Sequence, residues 1–331
     1  MTVRIEKPAI NVREELADLR KPSGVAGEAM LRAETPQEQF NLIGAGRRNL
    51  IINGDFQVSQ RGDYSSATSA ATGSYYLDRW TVSHGVAATI QQAADVPTGT
   101  PFSYSAKYVA TASGTTDLNL LQKIEDVSVL KGQTVIISAW VKSNSPNCRI
   151  LVFQGSSGGW NSATTAHSGG GEWEYLTLPV QISTSANEVR VYFCFRTELA
   201  AAVSIASGDF IQITGVQLEL GKVATPFEHR SYGEELALCQ RYYYQTDSNS
   251  KYRFSMNTGT AVAAHYATWP HPVTMRAEPT VSITATTTDN WASIGASGDN
   301  SKLALGLSFT PNGTADTRCL AEFYFTANAE L

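Results

Sequence analysis

The sequence predicts a mainly β protein: an N-terminal arm with short helices, then a jelly-roll β-sandwich, then a smaller C-terminal β-sandwich. Three observations carry this reading. Apolar and polar residues alternate in short runs rather than at helical spacing. Loops rich in Gly, Ser and Thr separate the runs, with no long helix between them. Charged residues are only 17% of the 331 while hydrophobic residues reach 42%, a balance that suits sheets with hydroxyl-rich outer faces. The length allows two modest domains plus a tail, and the boundaries fall at 1–46, 47–230 and 231–331.

The first 46 residues read differently from the rest. Asn11 is placed to cap a helix, with Glu14 completing a capping-box arrangement. Val12, Leu16 and Leu19 then form one apolar stripe, and Pro22 ends it. After the linker-like KPSGVAG, Thr35, Pro36 and Glu38 start a second helix whose apolar side is Phe40, Leu42 and Ile43. Helices this short need a surface to dock on. That surface is either the protein's own β-domain or a larger assembly, and the stripe is too short to fix an oligomer by heptad rules.

From Asn49 the period changes. NLIINGDF reads as a short apolar strand followed by an Asn-Gly turn. Strand runs follow at 78–83, 88–93, 102–110, 133–143, 148–154, 172–182, 188–195 and 209–220. In the last of these, Gly215 marks a bulge. After Pro226 a stretch containing Leu236, Cys239, Gln240 and Tyr243 fits a helical stripe, while its tyrosine triplet favours a strand. About six further short runs, ending in LAEFYFTANAEL, suit a small second sandwich.

Three segments carry a resemblance. NLIINGDFQVSQRG, YYLDRW and GVQLELGKVATPFEHRSYGEELALCQRYY, with the closing FTANAEL, resemble a recurrent signature of tail-fibre and virion appendage proteins of tailed bacteriophages. The strands between them are similar to jelly-roll carbohydrate-binding modules. Asn53, Gly54, Asp55 and Phe56 fit the module's opening strand and turn, Asp78, Arg79 and Trp80 its aromatic motif, and residues 215–221 its closing strand. All of these read as scaffold, and residues 118–171 match no motif. The resemblance implies a virion protein, assembled in a host cytoplasm, that anchors by its arm to other virion proteins (tail, portal-proximal or head). It also implies β-domains presented to host surface polysaccharide, and a homotrimer, because weak sugar contacts gain from multivalency.

Several chemistries are excluded. The net charge of -5 comes with no basic stripe, which argues against nucleic acid. No run reaches the roughly 18 apolar residues of a membrane helix, and residues 1–10 lack a signal-peptide core. Cys148, Cys194, Cys239 and Cys319 are scattered without metal spacing and are expected to be free thiols. No cofactor motif, nucleophile elbow or P-loop is present, and the five histidines show no metal pattern. Glu172 and Glu174 share a strand rather than flanking a cleft, which speaks against glycoside hydrolysis.

For glycan binding, the segment QGSSGGWNSATTAHSGGGEW offers Trp160, Asn161 and His167 on what reads as a polar loop. Sugars stack their C–H faces on aromatic rings and hydrogen-bond to amides and hydroxyls. The alternative is that Trp160 folds back to cap the sandwich. Trp291 is a second, weaker aromatic candidate.

Overall fold

A computed structural model describes residues 48–155, 159–246, 251–258, 264–312 and 317–331. The expected arm helices, with Val12, Leu16, Leu19, Phe40, Leu42 and Ile43, lie outside the described residues.

The first half contains β1 (Thr68–Ala70), β2 (Thr81–His84), β3 (Ala88–Ala93), β4 (Ser105–Ala110), β5 (Gly114–Thr116), β6 (Leu118–Lys123) and β7 (Thr134–Ser143). It continues with β8 (Cys148–Gln154), β9 (Gly159–Ala166), β10 (Trp173–Gln181), β11 (Val189–Phe195), β12 (Val203–Ile205) and β13 (Phe210–Leu220). These build a six-stranded sheet, β1-β3-β4-β13-β7-β10, and a five-stranded sheet, β2-β6-β11-β8-β9, with β12 and β5 as a small pair. Each pairing is antiparallel. Alternate residues such as Ile137, Ala139 and Val141 on β7, and Val191, Phe193 and Phe195 on β11, meet in one core between the sheets. Strand alternation thus becomes a two-layer jelly-roll sandwich.

Helix α1 (Tyr232–Gln240) follows, started by a capping box between Ser231 and Glu234. β14 (Tyr243–Gln245) comes next, so the two readings of this stretch each hold for their own half. Then come β15 (Tyr252–Thr258), β16 (His265–Pro270), β17 (Thr280–Asp289), β18 (Trp291–Ala296), β19 (Ala304–Pro311) and β20 (Thr317–Asn328). β20 pairs with β14, β15 and β17, while β19 lies between β16 and β18. Their inner faces enclose a second core around Phe309, Phe323 and Phe325, in which Trp291 is buried. The weaker aromatic candidate is therefore packed inside.

Two expectations require correction. Residues 49–56 are not a strand: they run as buried irregular chain whose backbone groups are satisfied mainly by side chains. Ile52 exchanges hydrogen bonds of 2.9 and 2.8 Å with the Gln122 amide. Asn49 Nδ2 donates to the Val216 carbonyl (3.1 Å), and its Oδ1 accepts from Leu218 N–H (3.1 Å). Second, the segment read as a loop around Trp160 contains β9, paired with β8. Its β-branched Thr pair and Trp favour a pleated edge, which the surrounding glycines obscured. The bulge at Gly215 is present as a register shift between Thr214 and Gln217.

Residues 49–331 form one compact unit, and the quoted motifs form the joint between its two cores. Asn53, at φ 57, bonds through its side chain to Val58 and Asp78, and its carbonyl accepts from Trp80 Nε1 at 2.9 Å. Its own N–H donates to Glu235 on α1. Arg79 donates to Glu330 and lies 3.5 Å over the Tyr242 ring, while Arg61 reaches Glu330 at 2.8 Å and lies 3.7 Å over Tyr243.

Candidate glycan-binding face

The five-stranded sheet turns Val191, Phe193 and Phe195 inward, so the intervening positions of β11 point away from the core. Register then fixes what surrounds them. Tyr192 sits between Leu121 on β6 and Leu151 on β8. Cys194, Ala200 and the half-buried Phe153 and Trp160 extend this row into a separate apolar cluster on the outer face. Trp160 lies directly across from Phe153. Its ring centroid is 5.1 Å from Phe153 and 4.9 Å from Tyr192. An apolar strip thus crosses the strands, with three aromatic rings at one end.

Charged and amide groups flank the strip on both sides. On one side Arg190 makes paired bonds of 3.1 Å to both Glu188 oxygens and lies 5.6 Å over Phe153, with Lys123 3.4 Å from Glu188. Burial pushes the Glu188 carboxyl up, but Arg190 and Lys123 together hold it below its usual range. On the other side Arg196 donates to Asn119 Oδ1 (3.1 Å) and the Ala200 carbonyl (2.9 Å), pairs with Asp117 at 2.5 Å, and lies 4.9 Å over Trp160. Burial likewise raises Asp117, yet the Asn119 amide and the Arg196 guanidinium outweigh it and keep the group ionised. Leu121, Leu151, Tyr192, Cys194 and Ala200 are themselves buried, so the ring surface here is that of the half-buried Trp160 and Phe153, beside orientated donors and carboxylates of the kind that bond sugar hydroxyls.

The three sequence candidates separate here. Trp160 belongs to the strip, packed on Tyr192 while half-buried. Asn161 is the next residue on β9, and its backbone pairs with Val152. His167 is 1% exposed; Nε2 lies 2.9 Å from the Glu172 carbonyl and Nδ1 accepts from Gly169 N–H at 2.9 Å. Both ring nitrogens are therefore used in shaping the turn before β10. Glu174 is engaged by the Ser168 N–H at 3.1 Å and by its hydroxyl. Sequence reasoning missed Tyr192, Leu121 and Leu151. The signal in EVRVYFCF was a tyrosine on the outward parity of a strand, but its neighbours are set by register between distant segments.

Residues 48–199 match the family model of a carbohydrate binding domain. Every residue of the strip and its flanks, from Asp117 to Arg196, lies inside that match, apart from Ala200. No curated protein matches the chain. Among solved structures, the enzymatically active domain of tailspike protein 4 from Bacteriophage CBA120 is similar over 52% of this chain and 21% of that one, at 21% identity and TM-score 0.32. TmCBM61 in complex with β-1,4-galactotriose matches over 53% of this chain and 99% of its own, at 18% identity and TM-score 0.34. A CBM22-1 xylan-binding domain from Paenibacillus barcinonensis matches over 49% and 99%, at 13% identity and TM-score 0.32. Among the described residues no group of three or more His, Cys, Asp or Glu could hold a metal ion, and no helix is long and apolar enough to cross a membrane.

Proposed function

We propose that this chain is a bacteriophage virion fibre or appendage protein, anchored through residues 1–46, that binds host surface polysaccharide on the outer face of its five-stranded sheet. The observation that carries the glycan half is the Trp160–Tyr192–Phe153 cluster with its arginine, carboxylate and amide flanks, inside the segment matching a carbohydrate binding domain. The virion half is supported by the resemblance of the three motif segments to fibre proteins. On this reading the chain binds rather than cleaves, a reading supported by the match of residues 48–199 to a carbohydrate binding domain. It acts as a homotrimer, so that individually weak sugar contacts add.

The test is binding of the full chain to host cells before and after enzymatic removal of surface polysaccharide, with Trp160→Ala alongside. Binding that disappears with the polysaccharide, and weakens in the variant, is expected. Tight binding to virions lacking the protein, with no cell binding by the confirmed oligomer, would instead identify an architectural adaptor or decoration protein.

A further inference from the structure

The six-stranded sheet carries its own cleft on the face turned away from the core, about 390 Å³ in volume. That lies within the roughly 300–1,000 Å³ of small-molecule sites. Its floor is Trp140 on β7 with Tyr175, its cross-strand neighbour on β10. Their rings lie 5.4 Å apart at 54°, and Tyr175 is 45% exposed. Two positions along, on the same face, Ser138 and Thr177 pair across the strands, and Ser138 lines the cleft beside the rings.

The wall is built by the bulge. Gly215 holds φ +61, and a Cβ there would come within 2.5 Å of the Phe102 ring, so Phe102 can lie over this position only because it is glycine. Phe227 packs edge-on against Phe102 at 5.1 Å, and His229 braces both rings at 5.6 and 4.9 Å. Among the described residues no charged side chain lines the cleft. Lys142, the next charge along β7, is neutralised by Asp95 at 2.8 Å, and Asp95 also accepts from Trp173 Nε1 at 3.3 Å.

We propose that this cleft is a second binding site, for an uncharged glycan chain. The exposed Tyr175 ring and the half-buried Trp140 ring, tilted to each other, offer stacking planes for successive pyranoses, which also turn relative to one another. A purely aliphatic ligand would cover the Ser138 hydroxyl without giving it a partner, and an anionic one would find no charge to meet it. The site uses different residues on the opposite side of the sandwich from the strip around Tyr192, and stands independently of it.

Calorimetric titration of the full chain with uncharged β-1,4-linked hexasaccharides of glucose, xylose and galactose tests this. Trp160→Ala is expected to keep one site for at least one of them. Adding Tyr175→Ala is expected to weaken that site about ten-fold or more, whereas Tyr175→Phe, which keeps the ring, retains it. If the Trp160→Ala variant binds none of the three, or binding survives Tyr175→Ala unchanged, the cleft is not a glycan site. If Tyr175→Ala abolishes binding that Trp160→Ala leaves intact, the cleft stands and the five-stranded face loses its assignment.

Discussion

Arg79 and Glu330, 251 positions apart in sequence, form an ion pair at the centre of the joint, with side chains only 2% and 5% exposed. The pair is not alone. Arg61 shares the same carboxylate, Arg79 also donates to the Lys123 carbonyl at 2.9 Å, and the Ala329 N–H bonds the Tyr242 carbonyl at 2.7 Å.

Glu330→Ala leaves two largely buried guanidinium groups without their counter-charge. Removing one partner of such a pair costs about 3–5 kcal/mol, far more than an exposed ion pair would. Urea unfolding is expected to show a loss of that order. A loss below about 1 kcal/mol would mean that Tyr242, Tyr243 and solvent suffice for the two arginines.

Asp78 gives the joint a pH dependence of known sign. Burial pushes its carboxyl up to about 6, against the hydrogen bonds it accepts from Gln60. The folded state holds this proton more tightly than the unfolded chain, so the stabilisation is complete below about pH 4 and is lost as pH rises through 6. Relative to Asp78→Asn, the parent should therefore lose on the order of 3 kcal/mol between pH 4 and pH 7. The comparison between the two proteins isolates this group, because Asp117 and Glu188 are shifted downward and act in the opposite direction. Parallel slopes for the two proteins would contradict the assignment.

Gly54 is a packing requirement. A Cβ there would sit 2.2 Å from the Val216 carbonyl oxygen, a backbone atom that cannot swing aside. Gly54→Ala must separate residues 49–56 from β13 and is expected to cost about 1–3 kcal/mol. The strip on the five-stranded face should keep its near-ultraviolet signature, since it lies on the other sheet.

The four cysteines are buried thiols. Burial pushes the Cys148 thiol up to about 12 and raises Cys194 and Cys239 as well. Thiolates are the reactive species, so the native protein is expected to resist iodoacetamide and to label fully only in denaturant. Rapid native labelling would show that one of the sheets opens.

Much of this fold was legible in the sequence, because alternation at Ile137, Ala139 and Val141, or at Leu176, Leu178 and Val180, records directly which side faces a core. β3 coincides with the run read for it. Residues 49–56 were misread because their apolar content mimics a strand, whereas their partners are the side chains of Gln122 and Glu235, far away in sequence. The site was less legible still. Trp160 was visible as an aromatic among glycines, but Tyr192, Trp140 and Tyr175 acquire meaning only once register sets them beside other residues, and no local pattern encodes that register.

The joint also sets an order of events during synthesis. Every strand of the first sandwich lies within residues 68–220, so both its sheets can pair as soon as that segment has left the ribosome. Asn53 must then wait for Glu235, and Arg79 and Arg61 must wait for Glu330. At about 5–20 residues per second, the last of these arrives roughly 5–20 seconds later. For that interval the nascent chain holds a paired sandwich whose two arginines are still hydrated, and the final docking is the step at which a holding chaperone would have to let go.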